Sequence, residues 1–68
     1  MGRFIVQWTN KVSGDKGFVM ALHNKGAYFE NTPNRDKAKQ WKASAKANIL
    51  ATLAKYCDAN TYEAIDVE

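Results

Sequence analysis

The residue types that most often carry out catalysis are sparse in this chain and do not form a known motif. His23 is the only histidine among the 68 residues, and Cys57 is the only cysteine. A histidine base requires an orienting carboxylate and a nucleophile within reach. The acids nearest to His23 in the sequence are Asp15 and Glu30, and no serine is suitably placed. The chain is therefore predicted not to be an enzyme, and no catalytic residue is assigned.

The same scarcity argues against a metal or cofactor site. One histidine, one cysteine and dispersed carboxylates have no spacing typical of a tetrahedral zinc site. Segment 13–17 has the composition of a phosphate-binding loop, but it lacks the required spacing and joins strand to strand. Cys57 lies at the end of a predicted helix, where the helix dipole disfavours a thiolate. We interpret it as a structural thiol and predict neither metal nor cofactor.

Charge is distributed unevenly along the chain. Ten Lys and Arg residues against seven Asp and Glu residues give a net charge of +3. Segment 30–57 carries six of the bases and only two acids, whereas segment 58–68 carries four acids and no base. The basic middle is either free for an acidic partner or neutralised by the acidic end, and the sequence leaves both alternatives open.

Aromatic residues close to basic residues are the strongest candidates for a binding surface. Trp, Tyr and Arg dominate protein-interface hot spots, and exposed aromatics beside lysines also stack on nucleic-acid bases. The candidate partner-binding residues are Tyr28, Phe29, Arg35, Lys37, Lys39, Trp41 and Lys42. No RNP-type motif, KH loop or zinc knuckle accompanies them. An acidic protein partner and a nucleic acid bound by the basic segment 35–46 both remain open.

Length and composition predict one small domain spanning residues 1–68. Apolar residues make up 46% of the chain, but ten of them are alanine, so only a thin core is available. No apolar run approaches the ~20 residues needed to span a bilayer. The first residues are followed by alternation rather than by the apolar stretch of a signal peptide. With a single cysteine, these features predict a cytoplasmic protein without a membrane partner.

Strand patterns dominate the first thirty residues. Segments 3–9 and 18–22 alternate between apolar and polar positions, and segment 10–17 between them is a loop. The predicted inner faces hold Phe4, Val6 and Trp8 in the first strand and Phe18, Met20 and Leu22 in the second. A turn at 23–26 and a short third strand at 27–30 follow.

Helical composition begins after Asn31-Thr32-Pro33, a predicted helix start. It continues to residue 57, but an apolar stripe at helical spacing covers only the second half of this segment. The stripe consists of Ala45, Ile49, Leu53 and Tyr56, flanked by Leu50 and Cys57. A break near residues 42–44, with Ser44 capping a second helix and Trp41 docking separately on the core, is favoured over one long helix.

These elements predict an α+β fold, a small antiparallel sheet in the order β-β-(β)-α-β with the helix packed on one face. A last strand at 61–67 closes it. The predicted core consists of Phe4, Val6, Trp8, Phe18, Met20, Leu22, Ile49, Leu50, Leu53 and Ile65. A sheet of this size leaves an edge strand exposed, which is available to a partner or to a second copy as a homodimer.

Several short segments resemble a loose group of small proteins encoded by bacteriophages and prophages. The matching segments are Gly17-Phe18-Val19, Gly26-Ala27-Tyr28-Phe29, Ala38-x-x-Trp41, the helix start at Ser44 and Ala47, and Tyr62-Glu63-Ala64-Ile65. This chain has one residue more between Trp41 and Ser44 than the usual pattern. The resemblance implies an N-terminal meander, a short helix and a closing strand.

Many proteins of this group have no assigned activity, and those with one often bind a host protein stoichiometrically and inhibit or redirect it. The resemblance therefore implies a non-enzymatic phage-type protein that modulates a host protein in the host cytoplasm. The alternative is a nucleic-acid-binding protein that uses segment 35–46.

Overall fold

A computed structural model describes residues 2–23 and 28–67, which form a curled antiparallel sheet with one α-helix packed against it. The strands are β1 (Arg3–Asn10), β2 (Lys16–His23), β3 (Tyr28–Thr32), β4 (Trp41–Lys42) and β5 (Asn60–Asp66), and the helix is α1 (Lys46–Tyr56). The predicted α+β fold is confirmed. The predicted turn at 23–26 falls mostly outside the described residues.

β1 is the central strand of the sheet. Along one side it pairs with β5 without interruption, from Phe4 opposite Asp66 to Asn10 opposite Asn60. Along the other side its second half pairs with β2 and its first two residues pair with β4. β3 lies outside β2, so β3 and β5 each pair on one side only. β4 also pairs with β1 alone, so three strands of the described sheet have a single partner.

The core lies on the face of the sheet that α1 covers, which we term the helix face. Phe4, Val6, Val19 and Leu53 are fully buried there. Partly buried side chains surround them: Trp8, Leu22, Phe29, Trp41, Ile49, Leu50, Tyr62 and Ala64. Each fully buried large apolar side chain contributes roughly 1.5–3 kcal/mol of stability. Leu53 is thus the fully buried side chain that α1 contributes to the core, with Ile49 and Leu50 partly buried beside it.

The inner face of β2 differs from the sequence prediction. Gly17 pairs with Trp8, which places Gly17 and Val19 on the helix face and Phe18 on the opposite, outer face. The register with β3 shifts between Val19 and Ala21, so Met20 is an extra residue. Such a bulge interrupts the alternation of side chains. The alternation resumes with Leu22 on the helix face, and the prediction that Phe18 and Met20 belong to the core is wrong.

The outer face carries a second, smaller buried group. Ile5 is only 2% exposed and pairs with Ile65 across β1 and β5. A pocket next to it is lined by Ile5, Val67, Arg35, Asp36 and Gln40. The segment after β3 therefore covers part of the outer face. Ile65 lies here, half-buried, and not in the predicted core.

The predicted helix after Asn31-Thr32-Pro33 is absent from the described structure, where segment 33–40 holds a single 3₁₀ turn, Arg35–Lys37. The Thr32 hydroxyl accepts a hydrogen bond from the Asn34 N–H (3.1 Å), and the Asn34 side chain accepts one from the Asp36 N–H (2.9 Å). Such local bonds compete with helix formation. Pro33 also favours an extended backbone at Thr32, which prolongs β3 by two residues beyond the prediction.

The prediction that residues 34–57 do not form one long helix is confirmed, but the residues before the predicted break near 42–44 form no α-helix. Trp41 and Lys42 form β4, a 3₁₀ turn follows at Ala43–Ala45, and α1 begins at Lys46. Trp41 docks on the core as predicted, because its ring stacks on Phe4 with 5.7 Å between centroids. The predicted cap is wrong: the N-cap of α1 is Ala45, and no side chain caps it.

A small hydrogen-bond network joins the end of α1 to β5. The Tyr62 hydroxyl donates to the Cys57 carbonyl (2.5 Å), and the Asn60 side-chain amide donates to the Tyr62 hydroxyl (3.3 Å). Burial raises the pKa of Tyr62 above its ordinary value of 10.0, and the hydrogen bond from Asn60 opposes part of this rise. The network therefore depends on a neutral Tyr62.

Replacing Tyr62 by Phe is expected to lower the free energy of unfolding by roughly 0.5–1.5 kcal/mol at pH 7, the net value of one hydrogen bond. In the wild type, the folded pKa of Tyr62 lies above the unfolded value. Its contribution is therefore full below pH 10 and is lost as pH rises through the folded pKa. Urea unfolding between pH 8 and 11 measures both effects.

Tyr28→Phe is the matched control, since Tyr28 is 52% exposed. The difference in unfolding free energy between wild type and Tyr62→Phe is expected to shrink above pH 10. A difference that stays constant to pH 11 would contradict the role assigned to the neutral hydroxyl.

Candidate interaction surface

Five of the predicted binding residues, four of them basic, lie on the segment that joins β3 to α1. We term residues 35–42 the basic crossover. Arg35, Lys37, Lys39 and Lys42 are all exposed on it. The Asn34 cap holds the first turn, the Lys39 N–H donates to the Val19 carbonyl (3.0 Å), and β4 pairs with β1. The backbone that carries these cations is therefore attached to the sheet at several points.

Trp41 connects the basic crossover to the core. Its ring is half-buried and lies 27° from the plane of the Phe4 ring, in a stacked arrangement. The Lys39 ammonium lies 5.9 Å from the centroid of the Trp41 ring, within the range of a cation–π interaction. The predicted anchor Trp41 is thus partly used by the fold, and Lys39 reaches over its ring.

The other two aromatic candidates lie on β3 and differ in exposure. Phe29 is half-buried and packs against Trp8 (6.3 Å between centroids) and Tyr62 (6.0 Å). Tyr28 is 52% exposed and stacks on His23 (5.1 Å). Phe29 therefore contributes to the core, and Tyr28 is the more accessible of the two.

His23 belongs to an exposed pair. Its Nε2 lies 2.5 Å from a carboxylate oxygen of Glu30, and both side chains are substantially exposed. The two residues are neighbours across β2 and β3, near the register position that pairs His23 with Tyr28. The register of β2 and β3 brings the two residues together, and their separation along the sequence does not reveal it.

The acidic residues that the structure describes at the end of the chain, 58–66, make no ion pair with the basic crossover. In the part of the chain that the structure describes, the ion pairs are His23–Glu30 and Lys46–Asp66 (3.1 Å). Lys46 belongs to α1, and its ammonium also lies 5.8 Å from the centroid of the Phe4 ring. Asp66 therefore pairs with α1, and no described residue of the acidic end pairs with the crossover.

Arg3 is a basic residue of this surface that the sequence analysis missed. It lies directly opposite Lys42 in the pairing of β1 with β4, so the two side chains share the outer face. Arg3 and Lys42 are both exposed. A strand of two residues has no periodicity that sequence reasoning could detect, and no sequence signal pointed to this pair.

Within residues 2–23 and 28–67, no group of three or more His, Cys, Asp or Glu side chains is placed to hold a metal ion. Over the same residues, no helix combines the length and apolar character needed to cross a membrane.

Comparison with protein-family models, with curated proteins and with solved structures found no match for this chain. The resemblance to phage-encoded proteins therefore stays a prediction, and function is inferred from the geometry of the surface.

Proposed function

We propose that this chain is a non-enzymatic binding protein that attaches to an acidic surface of another protein and modulates it stoichiometrically. In the phage setting implied by the sequence resemblance, the partner is a protein of the host cytoplasm. The basic crossover is the contact surface, with Trp41 as an aromatic contact within it. Tyr28, at the end of β3 away from the crossover, is a separate aromatic candidate. Phe29, also a candidate, contributes indirectly, because its packing against the core holds β3 in place.

The observation that carries the proposal is the unpaired charge of the basic crossover. Four exposed cations lie within eight residues, and Asp36 is the only acid among them. None of the four takes part in an ion pair among the described residues. Concentrated charge of one sign steers a partner of the opposite sign and raises the rate of association.

The aromatic rings near the cations already pack within the fold, which favours a protein partner over a single-stranded nucleic acid. Binding of single strands needs aromatic faces on which bases stack. The face of Trp41 is stacked against Phe4, with Lys39 close to the ring, and Phe29 packs against Trp8 and Tyr62. The aromatic candidates next to the cations are thus already engaged. A nucleic acid bound through its phosphates alone is the alternative, and it requires a steep dependence on salt.

The outer strands offer a second way of attachment. Within the described sheet, β3 and β5 each pair on one side only, and a partner strand adds to such an edge through main-chain hydrogen bonds. A second copy of the chain would bind in the same way. Light scattering at several protein concentrations distinguishes a homodimer from a monomer that pairs only with its partner.

The experiment that tests the proposed function is a tagged pull-down from bacterial lysate, run with and without nuclease. We expect one acidic protein at near-equal stoichiometry in both samples. A broad set of proteins that disappears after nuclease treatment would replace the proposal with nucleic-acid binding.

Reversing charge on the basic crossover is expected to slow association with the captured partner. The variant Lys37→Glu, Lys39→Glu, Lys42→Glu should retain its fold and lose roughly tenfold or more in association rate at low salt, because the steering charge is reversed. Surface plasmon resonance measures the rate, and circular dichroism checks the fold.

The matched control is Lys11→Glu, Lys16→Glu, Lys55→Glu. It has the same net charge, and its three lysines are also exposed but lie outside the crossover. An equal loss of rate in the two variants would show that net charge, and not the basic crossover, drives association.

A further inference from the structure

A pocket lies beside the first residues of β1, where β4 leads into α1. It has a volume of about 380 Å³ and is lined by Gly2, Arg3, Lys42, Ala43 and Ser44. This volume falls near the lower end of the range of ~300–1,000 Å³ that is typical of small-ligand sites. The pocket is large enough for a small organic molecule as well as for a simple ion.

The walls of this pocket are held by pairing between strands. Arg3 lies opposite Lys42, and the Ala43 N–H donates a hydrogen bond to the Gly2 carbonyl (3.1 Å). Gly2 and Ala43 have small or no side chains, which leaves space between the two cations and the backbone. The backbone of the site is therefore fixed before any ligand binds, which reduces the entropy lost on binding.

The charges in this pocket are arranged unfavourably for the unliganded fold. Two like charges directly opposite each other across two strands destabilise the pair. Neither Arg3 nor Lys42 makes an ion pair among the described residues, and Asp66, which lies opposite Phe4, is bonded to Lys46. A ligand with two negative charges would relieve this repulsion.

We propose that this pocket binds a small phosphate monoester. A phosphate group carries close to two negative charges near pH 7 and three acceptor oxygens, which matches one guanidinium, one ammonium and the Ser44 hydroxyl. Arg binds phosphate through two parallel hydrogen bonds, and a carboxylate has too little charge for both cations. The organic part of the ligand lies against Gly2 and Ala43. The inference does not rest on the proposed function, although Lys42 belongs to both surfaces.

The test is an NMR titration of the ¹⁵N-labelled protein with phenyl phosphate, inorganic phosphate and benzoate at constant ionic strength. We expect saturable shifts at residues 2–3 and 42–44 with phenyl phosphate, weaker binding of inorganic phosphate, and the weakest binding of benzoate. Arg3→Gln and Lys42→Gln should each lower the affinity for phenyl phosphate roughly tenfold, since each removes a charged hydrogen-bond partner.

Lys37→Gln is the matched control, because Lys37 is an exposed cation of the crossover that does not line the pocket. It should leave the affinity unchanged. Without ligand, Arg3→Gln should unfold at an equal or higher temperature than the wild type, because it removes the like-charge pair. Phenyl phosphate should raise the unfolding temperature of the wild type, because it binds the folded state. It should not raise the unfolding temperature of Arg3→Gln.

Shifts that increase linearly without saturation, or that spread over every lysine, would overturn the proposal. An equal loss of affinity in Lys37→Gln would overturn it as well. Equal affinities for phenyl phosphate and inorganic phosphate would contradict the organic part of the assignment. Capture of a protein partner in the pull-down is independent of all these results.

Discussion

Replacing Leu53 by Ala is expected to lower the free energy of unfolding by about 2–5 kcal/mol, the usual cost of truncating a fully buried leucine. Leu53 is 0% exposed and is the one residue of α1 in the fully buried cluster with Phe4, Val6 and Val19. Its loss leaves a cavity between α1 and the sheet. Because small domains have little stability to spare, the variant is expected to be largely unfolded at 37 °C. Urea unfolding followed by circular dichroism measures the change.

Asn48→Ala is the matched control for Leu53→Ala. Asn48 is an exposed residue of the same helix, and Ala is the better helix former. This variant should be as stable as the wild type or slightly more so. If both variants lost similar stability, α1 would not be held by the packing of Leu53.

Replacing Gly17 by Ala is expected to cost about 2–3 kcal/mol, near the upper end of the usual cost of overpacking. A Cβ atom at Gly17 would lie 2.6 Å from Cζ2 of Trp8 and 2.8 Å from its Cε2 and Nε1. The Trp8 ring packs against Phe29, so it cannot move away freely. Its Nε1 is already buried without a hydrogen-bond partner among the described residues. Unfolding in urea, followed by tryptophan fluorescence, measures the loss.

Coupling between Gly17 and Trp8 tests the cause of that loss. Trp8→Phe removes the part of the ring that meets the added methyl group. The double variant should therefore be more stable than the sum of the two single effects predicts. Gly14→Ala is the control for replacing a glycine without a steric clash. No atom lies within 4 Å of a Cβ there, so the cost of an alanine comes only from the positive φ of 78°. Additive effects at Gly17 and Trp8 would contradict the steric explanation.

Comparing the core variants with the charge-reversal variant distinguishes effects on the fold from effects on binding. The basic crossover is attached to the core through Trp41 on Phe4 and through Lys39 on Val19. Loss of packing at Leu53 should therefore disturb the surface together with the fold, whereas charge reversal on the crossover should change association alone. The proposed binding role thus has its own readout.

The local patterns of the sequence were sufficient for the elements that are long and regular. The alternation around Phe4, Val6 and Trp8 predicted β1, and the apolar stripe through Ile49 and Leu53 predicted α1 and the break before it. Both follow from a period that repeats over several residues, so a few neighbours carry the signal. The basic and aromatic residue types of the candidate surface were also visible at this level.

Only the tertiary structure decided how those elements meet. The extra residue Met20 reverses the inner face of β2, and its position depends on the register with β3, not on β2 alone. The two-residue β4 places Lys42 opposite Arg3, which lies 39 positions earlier in the chain. Lys46, and not the crossover, binds Asp66 for the same reason. Contacts between distant residues depend on register and packing, and a local pattern contains no information about either.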